Sequence, residues 1–213
     1  MKFRMEGICV DGREETRIKM CGLTSLEDIA AANALLPEYI GFVFAAASRR
    51  YIGYEEAAAL KEMLDPAVRA VGVFVDEAPE TVAELLLKGT IDLAQLHGQE
   101  DEAYLKKLRA LTQKPLIRAF RVTSAEDIHG ANASTADFVL LDSGAGSGRR
   151  FAWELLREIR RPYFLAGGLT PENVGEAINV CRPFAVDVSS GIETAGRKDP
   201  AKMNAFCAAV RKE

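Results

Sequence analysis

The sequence predicts an α/β protein, a single parallel (β/α)8 barrel of the TIM type, and three observations carry that reading. Short apolar segments rich in β-branched residues alternate with longer amphipathic ones, eight of each can be counted, and 213 residues is a length that eight such units fill. An open doubly wound sheet is the other arrangement that such alternation permits.

The first strand is RIKMCG at 17–22, and YIGFVF (39–44), AVRAVGVFV (67–75), IDLAQLHG (91–98) and PLIRAFRV (115–122) follow it. DFVLLDS (137–143), YFLAGGL (163–169) and AVDVSSG (185–191) complete the set. Each is nearly continuously apolar, as a strand buried on both faces must be. The intervening helices open on start signals: TSLEDIAAANALL (24–36), GYEEAAALKEML (53–64), APETVAELLLK (78–88) and GQEDEAYLKKLRAL (98–111). SAEDIHGANA (124–133), RFAWELLREI (150–159), TPENVGEAINV (170–180) and DPAKMNAFCAAVRK (199–212) continue the alternation. The fifth is the weakest, because Gly130 interrupts it. No Gly/Ser linker divides the chain, so residues 17–213 read as one barrel domain and residues 1–16 as an N-terminal extension.

Composition excludes several function classes. A formal charge of -4, with Lys and Arg scattered singly, offers no basic stripe for nucleic acid. No apolar run approaches a membrane span and no secretory signal opens the chain, so a cytoplasmic location without a membrane partner is expected. Cys9, Cys21, Cys181 and Cys207 are widely separated and form no CxxC or Cys/His cluster, which suits reduced thiols and predicts no metal site.

In such barrels the C-terminal ends of the strands carry the chemistry. Cys21 ends strand one, and strand alternation turns Lys19 and Cys21 inward while Ile18 and Met20 face the helices. By position alone Cys21 is either a small core residue or a reactive thiol. Asp142 ends strand six, immediately before the Gly-rich SGAGSG. Gly167 and Gly168 follow strand seven, and Ser189, Ser190 and Gly191 follow strand eight, where they can begin a short extra helix. Together these loops match the backbone phosphate cup that such barrels build after strands seven and eight. An acid and a base on either side of that cup suit aldose–ketose isomerisation of a small phosphosugar, which needs no cofactor. Lys19, buried on strand one, is expected to pair with Asp187 on strand eight.

The ordered segments IKMCG, FVFAAASRRYI, LAQLHGQE, LLDSGAGSG with FAW, LAGGLTPENV and VDVSSGIETAGRKD resemble the signatures of the phosphoribosylanthranilate isomerases of tryptophan biosynthesis. The resemblance spans essentially everything after the extension. It implies an Amadori rearrangement of N-(5-phosphoribosyl)anthranilate to 1-(2-carboxyphenylamino)-1-deoxyribulose 5-phosphate, with Cys21 as general base and Asp142 as general acid. It further implies that Arg50, with Arg49 as its neighbour and competitor, meets the anthranilate carboxylate, and that Gln95 and His97 help to form the substrate pocket. Arg49 stands where the family usually has proline, and Ala152 where it usually has aspartate. Another phosphosugar isomerase or epimerase, and a non-catalytic phosphate-binding barrel, are the competing readings.

Overall fold

The computed structural model describes residues 15–142 and 155–212. Most of the expected extension, Cys9, the SGAGSG segment and Trp153 lie outside them. Eight parallel strands close into a barrel in sequence order: β1 (Arg17–Cys21), β2 (Tyr39–Val43), β3 (Arg69–Phe74), β4 (Leu93–Leu96), β5 (Leu116–Arg121), β6 (Phe138–Asp142), β7 (Tyr163–Ala166) and β8 (Ala185–Val188). Closure pairs β8 with β1, Lys19 opposite Asp187. The open-sheet alternative is thereby eliminated.

Side-chain alternation sorts the strands into two cores. Inward-facing Tyr39, Val71, Leu93, Ile117, Leu140, Phe164 and Ala185 fill the lower barrel as one buried cluster. Ile18, Met20, Ile40 and Phe42 face outward into a second, larger core shared with the helices. The inward parity expected for Lys19 and Cys21 follows directly from this division.

Among the described residues seven α-helices cover the barrel: α1 (Leu26–Leu35), α2 (Tyr54–Glu62), α3 (Pro79–Lys88), α4 (Glu102–Leu111), α5 (Ala125–Ala133), α6 (Val174–Cys181) and α7 (Pro200–Val210). α5 forms despite Gly130. Ser124 and Asp127 close a capping box at its start, and Ile128 and Ala131 are fully buried against the sheet. Two expectations change. Of the helix expected at 150–159, residues 150–154 lie outside the described residues, and Leu155–Glu158 form a 3-10 turn. α6 starts at Val174, past the Thr170-Pro171 signal, because Asn173 spans the intervening turn: its side-chain oxygen accepts from the Thr170 N–H at 2.9 Å and its amide donates to the Gly168 carbonyl at 2.9 Å.

Candidate active site

Cys21 lies at the mouth of the barrel, 8% exposed, in a small apolar cluster with Val43 and Val73. Gly41 is its partner in β2, and a Cβ there would stand 2.7 Å from Sγ. Beneath it Lys19 is 0% exposed, and its Nζ donates to Asp187 Oδ1 at 2.9 Å, the pair that the strand parity predicts. Burial weighs against the Lys19 ammonium, but Asp187 and the Cys21 sulfur hold its pKa above the ordinary lysine value. For Cys21 the balance runs the other way. Desolvation pushes the thiol above its ordinary value, although the positive charge of Lys19 pulls it down. Lys19 thus favours the thiolate, and burial outweighs it.

Asp142 is the last residue of β6, with its carboxylate 3.6 Å from His97 Nε2. Gln95 is buried on β4, and its Nε2 stands 2.9 Å from His97 Nδ1. The other ring nitrogen, Nε2, faces Asp142. At 3.6 Å this contact is longer than a hydrogen bond. Among the described residues Gln95 Oε1 has no hydrogen-bond partner.

The loops after β7 and β8 lie against each other. Gly167 and Gly168 adopt φ of 101° and 64°, and Gly191 packs on the backbone of Leu169 and Thr170 so closely that any Cβ would overlap the Leu169 carbonyl. Ser190–Ile192 form the short extra 3-10 helix expected there. The Ser189 hydroxyl donates to the Cys21 carbonyl at 3.0 Å, tying the β8 loop to the end of β1. Among the described residues no group of three or more His, Cys, Asp or Glu could hold a metal ion.

Two residues of the site escaped the sequence reading. After the 3-10 turn, β9 (Glu193–Thr194) and β10 (Arg197–Lys198) form a two-stranded antiparallel ribbon. From it Glu193, its side chain 4% exposed, faces both arginines of the β2–α2 loop. Oε1 accepts from Arg50 Nε at 2.5 Å, and Oε2 accepts from Arg50 Nη2 at 3.0 Å and Arg49 Nη2 at 2.7 Å. Lys198 Nζ, on a side chain only 2% exposed, donates to Glu193 Oε1 at 2.8 Å and to the Ser189 carbonyl at 3.0 Å. Burial raises the cost of the Glu193 charge, but these cations hold its pKa below the ordinary carboxylate value. Both residues fall within GIETAGRKD, a stretch with no strong strand or helix period, and only the folded ribbon turns them toward the barrel.

Comparisons with known proteins bear on the family and the fold. The family model described as N-(5'phosphoribosyl)anthranilate (PRA) isomerase matches residues 18–209. An N-(5'-phosphoribosyl)anthranilate isomerase of Endomicrobium trichonymphae is 44% identical over 188 residues, covering 86% of this chain and 92% of that protein. One from Lachnoclostridium phytofermentans is 40% identical over 208 residues, covering 89% and 95%. The crystal structure of the Thermotoga maritima phosphoribosyl anthranilate isomerase superposes with a TM-score of 0.84 at 36% identity, covering 93% of this chain and all of that one. A structure of such an isomerase in complex with reduced 1-(o-carboxyphenylamino)-1-deoxyribulose 5-phosphate gives 0.81 at 36% identity, with the same coverage. The 3-hexulose-6-phosphate synthase of Salmonella typhimurium, 16% identical with a TM-score of 0.72, shares the fold alone. By its matching family model and its relatives at 40% identity and above, this chain belongs to the N-(5'-phosphoribosyl)anthranilate isomerase family.

Proposed function

We propose that this chain, an isomerase of tryptophan biosynthesis by its family, uses Asp142 as general acid and Cys21 as general base in the Amadori rearrangement of N-(5-phosphoribosyl)anthranilate. Asp142 gives a proton to the furanose ring oxygen as the C1′–O bond breaks, and the anilino nitrogen lone pair forms the iminium. The Cys21 thiolate then removes the proton from C2′, and the resulting enolamine tautomerises to the 2′-ketone. Atoms balance without any external reductant or oxidant. Because burial lifts the free thiol, the thiolate must be favoured as substrate binds or drawn from a minor population at neutral pH.

The carrying observation is the bond from the Ser189 hydroxyl to the Cys21 carbonyl, which fixes the proposed phosphate loop and the proposed base to one point at the barrel mouth. Gly167, Gly168, Ser189, Ser190 and Gly191 form the phosphate cup in this reading, supported by the packing of the two loops on one another. Ser189 contributes by backbone, since its hydroxyl is engaged. Arg50 meets the anthranilate carboxylate. Gln95 Oε1 is available to accept from a substrate N–H or O–H, and His97 stands beside the acid. The substrate is a small phosphosugar and the enzyme acts in the cytoplasm. No helix among the described residues is long and apolar enough to cross a membrane.

Complementation of a tryptophan auxotroph lacking this isomerase step tests the reading, and failure of an expressed, folded chain to restore growth overturns it. With purified protein, inorganic phosphate or sulfate is expected to compete with substrate, and Gly168→Glu to remove that competition. Uncompetitive or absent inhibition in the unmodified enzyme would count against the cup.

A further inference from the structure

A guanidinium has two edges that can each grip a carboxylate, Nε with one Nη and Nη1 with Nη2. Glu193 occupies the first edge of Arg50, through Nε at 2.5 Å and Nη2 at 3.0 Å. The grip is not adjustable. Oε1 also accepts from Lys198 and Oε2 from Arg49, so both carboxylate oxygens are engaged by two donors each. The ribbon behind it is equally anchored. Lys202 Nζ donates to the Glu193 carbonyl at 2.7 Å, Thr194 Oγ1 to Asp199 at 2.6 Å, and Asp199 N–H to the Ile192 carbonyl at 2.9 Å. The stem of Arg50 lies on Gly22, whose φ of 82° and missing Cβ leave the room that Cδ takes up.

From this geometry we infer that Glu193 is a positioning residue that sets the carboxylate selectivity of the site: it holds Arg50 by its Nε edge so that the Nη1–Nη2 edge is presented to a carboxylate-bearing aglycone beside Cys21. The inference rests on the reading of Arg50 as the carboxylate partner. A single glutamate near that arginine would by itself repel an incoming carboxylate. Here one carboxylate faces three cations, Arg49, Arg50 and Lys198, and the cluster keeps a surplus of positive charge for a second anion. Arg49 is 61% exposed and contributes mainly long-range attraction, whereas Lys198 is buried and locks Glu193 from below. This charge balance lets the same glutamate orient the arginine without cancelling it.

The test compares two ligands that differ only in the carboxylate: the reduced product analogue bearing the 2-carboxyphenylamino group and its counterpart bearing a plain phenylamino group. In unmodified enzyme the first is expected to bind more tightly, and Arg50→Met to abolish the difference. If either fails, the reading of Arg50 fails, and the present inference with it. Glu193→Gln keeps the shape but loses the charge that orients the guanidinium. It is expected to weaken the carboxylated ligand about tenfold, one charge-assisted contact, and to leave the other within twofold. For substrate, KM rises while kcat stays within twofold. If Arg50→Met abolishes the difference but Glu193→Gln weakens both ligands alike, or neither, Glu193 is structural only and the inference is overturned. Should Glu193→Gln not fold, Glu193→Asp retains the charge but falls one methylene short of the two-point grip, and the same drop in the ratio of affinities is expected from it.

Discussion

At Cys21 the chemistry and the packing pull against each other. In the proposed role as base the thiol must shed its proton, yet the sulfur is buried among Val43, Val73 and Gly41, and desolvation favours the protonated form. Lys19 is the nearest compensating charge, held in place by Asp187. Cys21→Ala is therefore expected to lower turnover by roughly 10²–10⁴-fold while leaving the circular dichroism spectrum unchanged, the scale of a lost general base. Cys181→Ser and Cys207→Ser, on α6 and α7 far from the strand ends, should retain activity, and an equal loss at either would reassign the base. Lys19→Met removes the cation that favours thiolate, so the midpoint for alkylation of Cys21 moves to higher pH. An unchanged midpoint would leave Lys19 with a structural role alone. On the proposed role of Cys21, the kcat/KM profile of the unmodified enzyme is expected to rise with pH through the thiol ionisation, and a profile flat across that range would count against the assignment.

At the scale of elements, helix ends decide how firmly the loops are held. α1 begins directly after the Cys21-Gly22 corner, and Asp28, buried, accepts from the Thr24 N–H at 2.8 Å and the Ser25 N–H at 3.2 Å while Ser25 caps the Asp28 N–H. Asp28→Ala should cost about 1–2 kcal/mol by leaving those donors unpaired, measured by urea unfolding. Other helix ends use long-range partners. The Arg211 guanidinium donates to the Leu35 and Leu36 carbonyls at the end of α1, and Arg161 donates to Ala131, Ser134 and Ala136 carbonyls around the end of α5. Capping boxes such as Ser25/Asp28 are legible as short motifs. Arg211, 176 positions from Leu35, is not, since nothing local distinguishes it from a solvated arginine.

The whole molecule closes at the β1–β8 seam, and the Lys19–Asp187 pair lies across it. Asp187→Ala strands a buried ammonium and should destabilise the barrel by about 3–5 kcal/mol, whereas the double variant Lys19→Met/Asp187→Leu should recover most of that loss. Equal stability of the single and double variants would show that the pair contributes little. The same logic sets the pH range. Because the Lys19 pKa is raised, its contribution is intact below the ordinary lysine value of 10.5 and is lost only as pH climbs through the raised value. Glu193 behaves oppositely. Its lowered pKa adds stability above the ordinary carboxylate value of 4.5 that disappears as pH falls through the folded-state value. Thermal melts from pH 3 to 7 should accordingly fall less steeply on the acid side in Glu193→Gln than in the unmodified chain.

Alternation and local capping belong to the sequence by itself. Eight apolar strands, the seven α-helices of the described residues, the inward parity of Lys19 and Cys21, and Asp142 at a strand end all follow from periods of 2 and 3.6 residues and from position relative to Gly-rich turns. Tertiary structure alone decided which groups stand together across the mouth. Glu193 reaches Arg49 and Arg50 across more than 140 positions of chain, and Ser189 spends its hydroxyl on Cys21 rather than leaving it for a ligand. It also decided the sign of the Cys21 shift, because burial and charge act on the thiol in opposite directions, and their balance depends on how closely Gly41, Val43 and Val73 surround the sulfur. Periodicity reports the face a residue turns to, and it carries no information about the distance at which a remote partner will meet it.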